Sequence, residues 1–382
     1  MYVAQYTDSG FPVVDGVGRV VEAYAYNIAK KGHSCFIAAP RPDKTDRDKL
    51  EDINIIGFAG LPIPTTQYKL GIPILDIAFN AKISKEQIDI VHVHSPFSAG
   101  TAGHLTARLR KVPLIGTFHS KYYDDFYSVT KSKILSEIGV NIIVDFYNKC
   151  DEVWTVSNST AETLREYGFQ KEIIIMENGA DEMPFNESSL DFVRKKFNLS
   201  MSPTILFVGQ MSWKKNQMLI LETAAALTEL NFDYNLIFVG QGPDSDEIKA
   251  KSEELGILKN TLFTGHIPEK EILSALYKLS DILFFPSYYD NAPMVLREAA
   301  SLNLPSLLIK GSNAAESITD GFNGFLCSDN AKSNAELIIK ILNDREKLKI
   351  VGDNAKDTIA KPWDKIIDKA LERYQSLIDA NN

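Results

Sequence analysis

TILFVGQMSWKKNQ, residues 204–217, decides the fold. Thr204–Val208 is a short run with no polar alternation, as expected of a strand buried on both faces. Gly209 ends it, and a short loop carrying Lys214 and Lys215 follows. Upstream, NGADEMPFNESS (178–189) is polar with Gly and Pro and suits a linker, and the basic stretch Leu190–Phe197 reads as a helix. So 204–208 opens a new strand–helix series. An earlier series has strand candidates at YVAQY (2–6), SCFIAA (34–39), INIIG (53–57), DIVHV (89–93), PLIGTF (113–118), EVWTV (152–156) and IIIM (173–176). Helix candidates such as Gly18–Lys31 and Asn158–Tyr167 lie between them. The later series has NLIFV (235–239), LFT (262–264), ILFF (282–285) and PSLLI (305–309). Such alternation predicts parallel sheets covered by helices, in two doubly wound α/β domains, 1–185 and 186–361. The amphipathic run Trp363–Ile378 closes the chain; alone it does not say which domain it covers.

A length of 382 residues fits two such domains. With 45% hydrophobic and 24% charged residues the chain reads as globular, and its formal charge of −9 argues against a nucleic-acid partner. The N-terminus has no basic start followed by an apolar run, and no apolar stretch reaches ~18 residues. The expected location is the cytoplasm. Cys35, Cys150 and Cys327 are far apart and fit thiols in a reducing compartment better than a disulfide framework or a zinc site.

Open parallel sheets bind ligands beyond the carboxyl ends of their strands, where strand order reverses. With two sheets, the natural site is the cleft between them. Gly16-Val17-Gly18 sits where a loop becomes a helix, either a phosphate-friendly backbone or a plain turn. The full G-x-G-x-x-G fingerprint is absent, which weakens an NAD reading. Lys214 and Lys215 are either diphosphate ligands or a solvated pair. VGQGPDSDE (239–247) ends in acids and reads as a structural turn. KGSNAAE (310–316) is a further strand-to-helix start, with Glu316 nearby.

In SYYDNAPMVLREAAS (287–301), Asn291 is the expected N-cap and Pro293 fits the first helical turn. Glu298 then lies roughly 10 Å along the axis from the cap, at ~1.5 Å per residue. At that separation Asp290 and Glu298 suit the two ends of a polyhydroxylated ligand better than a shared proton. The competing reading is an acid facing the helix dipole plus a surface glutamate. His92 and His94 share a strand face without an evident third metal ligand, and His119 closes another strand.

In their order and spacing these segments resemble family-4 glycosyltransferases of the GT-B fold over nearly the whole chain. The pieces are TDSGFPVVDGVGRVVEAY, DIVHVHSPFSAG, VPLIGTFHS, VSNSTAETLREYGF, ILFVGQMSWKKN, LIFVGQGP, LFTGHI and SDILFFPSYYDNAPMVLREAASLNLPS. The resemblance implies two Rossmann-like domains facing each other across a cleft, with the terminal segment 362–382 crossing back to the first. It implies a retaining transfer of a hexosyl group from a nucleotide sugar, UDP-linked, to a sugar or lipid hydroxyl. No metal and no permanently bound cofactor is implied; the nucleotide sugar is a co-substrate. The family's acid-x7-acid motif falls on Asp290, toward donor-sugar hydroxyls, and Glu298, toward the ribose. Lys215 matches the phosphate-binding lysine, Gly16 and Gly18 the N-terminal glycine loop, and His119 a histidine near donor sugar and acceptor. By the same match Gln210, Lys214, Asn291, Ala292 and Met294 are expected on the donor. Lys215, His119 and Asp290 are the expected catalytic groups. Three positions depart from the pattern: Gln210 replaces an arginine, Asp290 a glutamate, and Pro293 a glycine. A nucleotide-sugar epimerase of this architecture, or a weakened nucleotide- or glycan-binding homologue, is the alternative. Residues 104–146 combine aromatics, lysines and an amphipathic run that would suit anionic lipid at the inner membrane face, or else cover the sheet with a solvated basic edge.

Overall fold

Among the described residues, nine strands form in the first half of the chain. They are β1 Tyr2–Tyr6, β2 Ser34–Pro40, β3 Ile55–Phe58, β4 Gly60–Pro62, β5 Lys69–Gly71, β6 Ile90–Val93, β7 Leu114–Phe118, β8 Glu152–Thr155 and β9 Ile174–Ile175. Seven build one sheet in the order β3-β2-β1-β6-β7-β8-β9, with every neighbouring pair parallel. β4 and β5 form a separate antiparallel pair. The second half supplies β10 Thr204–Val208, β11 Asn235–Val239, β12 Thr261–Gly265, β13 Ile282–Phe285, β14 Ser306–Ile309 and β15 Phe325–Cys327. These form a second all-parallel sheet, β12-β11-β10-β13-β14-β15. This computed structural model describes residues 1–9, 15–42, 53–62, 69–181 and 183–381. Residues 10–14 of the first glycine segment and Glu182 of the polar linker segment lie outside them.

The apolar runs explain the sheets. Every residue of β6, β7, β10, β13 and β14 is buried, as strands with helices on both faces require. Because all pairs within the two large sheets are parallel, the carboxyl ends of their strands lie on one edge of each sheet. Order reverses between β1 and β6 in the first sheet and between β10 and β13 in the second.

The chain divides into two units, Met1–Asn178 with Trp363–Asn382, and Gly179–Pro362. The division lies at the start of the polar segment because Ala180 is already tied into the second unit. Its N–H donates to Lys361 O at 2.6 Å. In the first unit the helix Trp363–Asn381 buries Trp363, Ile366, Ile367, Ala370, Leu371 and Tyr374, a spacing that makes one stripe. Tyr374 stacks on Trp154 at 5.5 Å, and Trp363 meets Tyr24 edge-on at 5.7 Å. Lys31 pairs with Asp364 and Asp368, and Arg373 with Glu152. Such exposed pairs add little beside the buried rings.

Trp363→Ala should cost about 3–5 kcal/mol, the usual loss for a buried tryptophan. Chemical denaturation reads this as a lower midpoint; an unmoved midpoint would mean that the stripe does not hold the helix.

Candidate active site

In the second unit, three segments that leave carboxyl strand ends meet. After β10 the loop 209–216 ends in a turn at Trp213–Lys215, and Asn216 adopts a left-handed conformation (φ 61°). Asn216 donates from Nδ2 to Pro286 O, just past β13, at 3.2 Å. That bond crosses the point of order reversal and brings Lys215 to Asp290. The Lys215 ammonium donates to Asp290 Oδ1. Lys214 and Lys215 both hold their ammonium groups near the Tyr289 ring, at 5.3 and 5.5 Å from its centre. The other Asp290 oxygen, Oδ2, is buried and finds no hydrogen-bond partner among the described residues. A buried carboxylate oxygen without a donor is costly, so this atom marks a place for a hydroxyl or amide. Gln217 Oε1 is the other such atom, while Gln217 Nε2 donates to Gln210 O at 2.9 Å.

The loop VGQGPDSDE braces this constellation. Asp244 Oδ2 accepts from Trp213 N at 2.8 Å, and Glu247 Oε2 from Trp213 Nε1 at 3.0 Å. A Cβ on Gly240 would lie 1.9 Å from Gly209 O. The two loops therefore pack backbone on backbone, which only glycine permits.

The carboxylate helix starts later than Asn291. It spans Met294–Ser301 with Pro293 as its N-cap, in extended conformation. A residue before proline avoids the helical region, so Ala292 blocks an earlier start. Asn291 is no cap: it is buried, and its Oδ1 accepts from Asn313 Nδ2 at 2.9 Å. Asn313 opens a five-residue 3-10 turn after β14, where a helix had been expected. No side chain caps the start at Met294. Glu298 is 1% exposed, which removes the surface-glutamate reading. Its Oε2 accepts from the Tyr277 hydroxyl at 2.8 Å.

In the first unit the helix Gly16–Lys30 is capped by Asp15, which accepts from Gly18 N at 2.7 Å. The carboxylate thus already occupies that helix start. Among the described residues no atom lies within 4 Å of a Cβ built on Gly16. Where order reverses, Asp8 follows β1 and accepts from Ser98 Oγ and Ala99 N. Burial pushes its carboxyl up to about 6, against those hydrogen bonds. His92 lies between Tyr374 OH and Thr117 Oγ1, each at 2.6 Å. His94 lies between Gln5 Oε1 at 2.5 Å and His119 Nε2 at 3.1 Å. Burial holds His92 and His94 well below the usual imidazole range and lowers His119 to about 4. Among the described residues no cluster of His, Cys, Asp or Glu could hold a metal.

The description of glycosyl transferases group 1 matches residues 190–358, and that of Glycosyltransferase Family 4 matches 14–182. This chain belongs to the family-4 glycosyltransferases. The alpha-monoglucosyldiacylglycerol synthase of Streptococcus pneumoniae is 26% identical over 80% of this chain and 70% of its own. The GDP-mannose-dependent alpha-mannosyltransferase of Corynebacterium glutamicum is 24% identical over 99% of this chain and 89% of its own. Among solved structures, Anabaena HepE in complex with UDP superposes with a TM-score of 0.80, at 18% identity, over 99% of this chain and all of its own. The fold of this glycosyltransferase is therefore GT-B. Sequence reasoning passed over Asp8, Tyr277 and Asn313. Asp8 follows a strand as His119 does, and the carboxyl-end rule alone would have flagged it.

The histidine cluster dictates how the stability of this glycosyltransferase depends on pH. A depressed imidazole pKa means that the unfolded chain binds more protons. The contribution is full above about pH 6.5 and is lost as pH falls toward 4. Asp8, whose pKa is raised, acts oppositely: its contribution is lost as pH rises through about 6. Three imidazoles outweigh one carboxyl, so the thermal midpoint of this unit should fall between pH 7 and pH 5. A flat or rising midpoint there would contradict the burial of neutral histidines.

Proposed function

We propose that this chain is a retaining hexosyltransferase. It takes its sugar from a UDP-linked donor and passes it to a hydroxyl of a lipid or sugar acceptor. The observation that carries this reading is the Lys215–Asp290 pair with its unpartnered Oδ2, placed where strand order reverses. An ammonium has three donors, and Asp290 takes one. The others can meet a diphosphate, while Lys215 balances the acid beside that anion. Asp290 Oδ2 then accepts from a donor-sugar hydroxyl. Glu298, oriented by Tyr277, accepts from the ribose. The first amides of the helix Met294–Ser301 face the diphosphate, as an uncapped helix start favours anions. Asn291, Ala292, Gln210 and Lys214 line the same edge; Gly16 and Gly18 lie at a helix start in the first unit where the Gly18 amide already donates to Asp15. Four of these positions carry assignments by family likeness alone: Gly16, Gly18, Gln210 and Ala292. UDP is favoured by the HepE complex, whereas the mannosyltransferase relative uses GDP-mannose.

In the reaction the bond between the anomeric carbon and the diphosphate breaks, and the acceptor oxygen bonds to that carbon on the same face. The acceptor proton passes to the leaving phosphate oxygen. Lys215 stabilises the charge growing there, the largest catalytic contribution. His119, neutral, positions a hydroxyl. Among UDP-, GDP- and ADP-glucose, the UDP sugar should raise the thermal midpoint most. Lys215→Ala should then lower turnover at least ~10²-fold in a folded protein. Turnover within a few-fold of the wild type would sink the role of Lys215, and equal shifts with all three sugars would sink the choice of base.

The acceptor side reads as lipid-facing. Ile134, Ile138 and Ile142 repeat every fourth residue on the helix Lys133–Tyr147 and are 70%, 50% and 61% exposed. Val129 is 84% exposed beside them in sequence, and Lys131 and Lys133 are exposed as well. A stripe of isoleucines flanked by lysines suits an anionic interface better than water. No helix among the described residues is long and apolar enough to cross a membrane, so contact would be peripheral. The chain should sediment with phosphatidylglycerol vesicles at low salt. Ile138→Asp should weaken that binding by roughly 10-fold, from the lost burial of one side chain. Equal sedimentation of wild type and variant would remove the stripe from the contact.

A further inference from the structure

We propose that Asp8 is an acceptor-binding residue: its carboxylate, held by Ser98 and Ala99, takes a hydroxyl of an amphipathic acceptor whose apolar part lies on Phe97. The lipid class rests on the reading of the acceptor side above; the place of the hydroxyl does not.

β1 ends at Tyr6, and the chain leaves it where the order of the first sheet reverses. The backbone there is fixed from several sides. Tyr6 O accepts from His94 N at 2.8 Å, and Asp8 N donates to Ser95 Oγ at 3.0 Å. Thr7 Oγ1 donates to Ser9 O at 2.8 Å. The Asp8 carboxylate reaches the start of the helix Ser98–Arg110, whose N-cap residue Phe97 has no capping side chain. Ser98 Oγ donates to Oδ1, and Ala99 N is shared between Oδ1 at 3.1 Å and Oδ2 at 3.2 Å. An ionised carboxylate offers about four acceptor sites. Two donors reach this one, and Oδ2 has only the longer half of a shared bond. A cap needs one oxygen; the second is left for a ligand. Asp8 keeps partial access to solvent. Burial already penalises its charge, so a further donor is worth more here than in water.

The neighbours of the carboxylate are apolar. Phe97, beside Ser98, is 42% exposed and meets Tyr122 and Phe126 edge-on at 5.4 and 6.3 Å. Phe126 in turn packs on Gly139, where a Cβ would lie 2.5 Å from the ring. Phe97 is thereby joined to the helix that carries the isoleucine stripe. On the other side a Cβ on Gly71 would lie 2.5 Å from Ser98 Oγ, so β5 passes close over the serine. Leu70 of β5 and its register partner Leu61 of β4 are 57% and 61% exposed. A free sugar needs polar partners all round. A single hydroxyl beside hydrocarbon, as in a glycerolipid, matches one carboxylate oxygen among exposed aromatic and aliphatic groups.

The test is calorimetric binding of dihexanoylglycerol, a short-chain lipid that dissolves without a membrane, and of its O-methyl ether, which has no hydroxyl to donate. The wild type should bind the alcohol about 10-fold more tightly, the worth of a hydrogen bond to a charged group. No binding, or equal binding of the two, overturns the proposal. Asp8→Asn keeps an oxygen for Ser98 and Ala99 but turns a donor toward the ligand, and should bind both lipids alike. A preference kept in that variant overturns the part of Asp8. Should it fail to fold, Asp8→Glu keeps the charge and moves the oxygens by one C–C bond, about 1.5 Å, with the same expectation. Phe97→Ser should weaken both lipids about 10-fold, from the lost contact of one ring, and keep the preference. Unchanged affinity there overturns the apolar clause. With UDP-glucose as donor and dihexanoylglycerol as acceptor, Asp8→Asn should raise the acceptor KM and leave that of UDP-glucose. Equal rises in both would make Asp8 a cap and nothing more. An inactive wild type counts against the proposed reaction, and the binding still judges Asp8.

Discussion

All-parallel pairing governs everything else in this protein. In the two large sheets it puts the carboxyl end of every strand on one edge, so residues far apart in the chain leave the sheet side by side. It also buries both strand faces, which leaves function to the loops. Where order reverses, adjacent loops diverge and leave room. In the second unit that place lies between β10 and β13, and it holds the Lys215–Asp290 pair. In the first it lies between β1 and β6, and it holds Asp8 against Ser98.

The two places are built on opposite electrostatic terms. Around Asp290 a carboxylate, two ammonium groups and an aromatic face gather within one small volume. Two positive charges face one negative, and one carboxylate oxygen stays without a donor. Around His94 and His119 the charges are gone: burial leaves neutral imidazoles linked to an amide and a phenol. The first arrangement suits a ligand with both phosphate and hydroxyls. The second suits orientation of a proton without net charge.

What could be read from the chain follows from the range of each interaction. The strands were legible because burial on both faces erases alternation within four or five residues. The restart at Thr204 was legible for the same reason, and with it the two doubly wound domains; GT-B came from the family resemblance. The N-cap was misplaced at Asn291 because capping propensity was weighed without the restriction that Pro293 puts on Ala292. The burial of Glu298 depends on Tyr277, 21 residues away, on another helix. Lys215 meets Asp290 across 75 residues, Asp8 meets Ser98 across 90, and His92 meets Tyr374 across 282. No local pattern encodes such pairs, so the sequence could name the acids and histidines but not their partners.

One contrast between the two units bears on where an anion belongs. Both have a helix beginning near the reversal point, and both were candidates for phosphate. In the first, Asp15 fills the start of Gly16–Lys30, receives a hydrogen bond from Ser9 and accepts from Gly18 N. A phosphate there would meet a carboxylate already using the favourable end of the helix dipole. In the second, Pro293 has no side-chain acceptor to cap Met294–Ser301, and Lys214 and Lys215 stand on the neighbouring loop. A capping Asn at that position would have satisfied the helix itself; proline leaves its first amides to be satisfied by something else. Proline at this position therefore removes one backbone donor and also leaves the helix start without a side-chain cap, the reverse of the arrangement at Asp15.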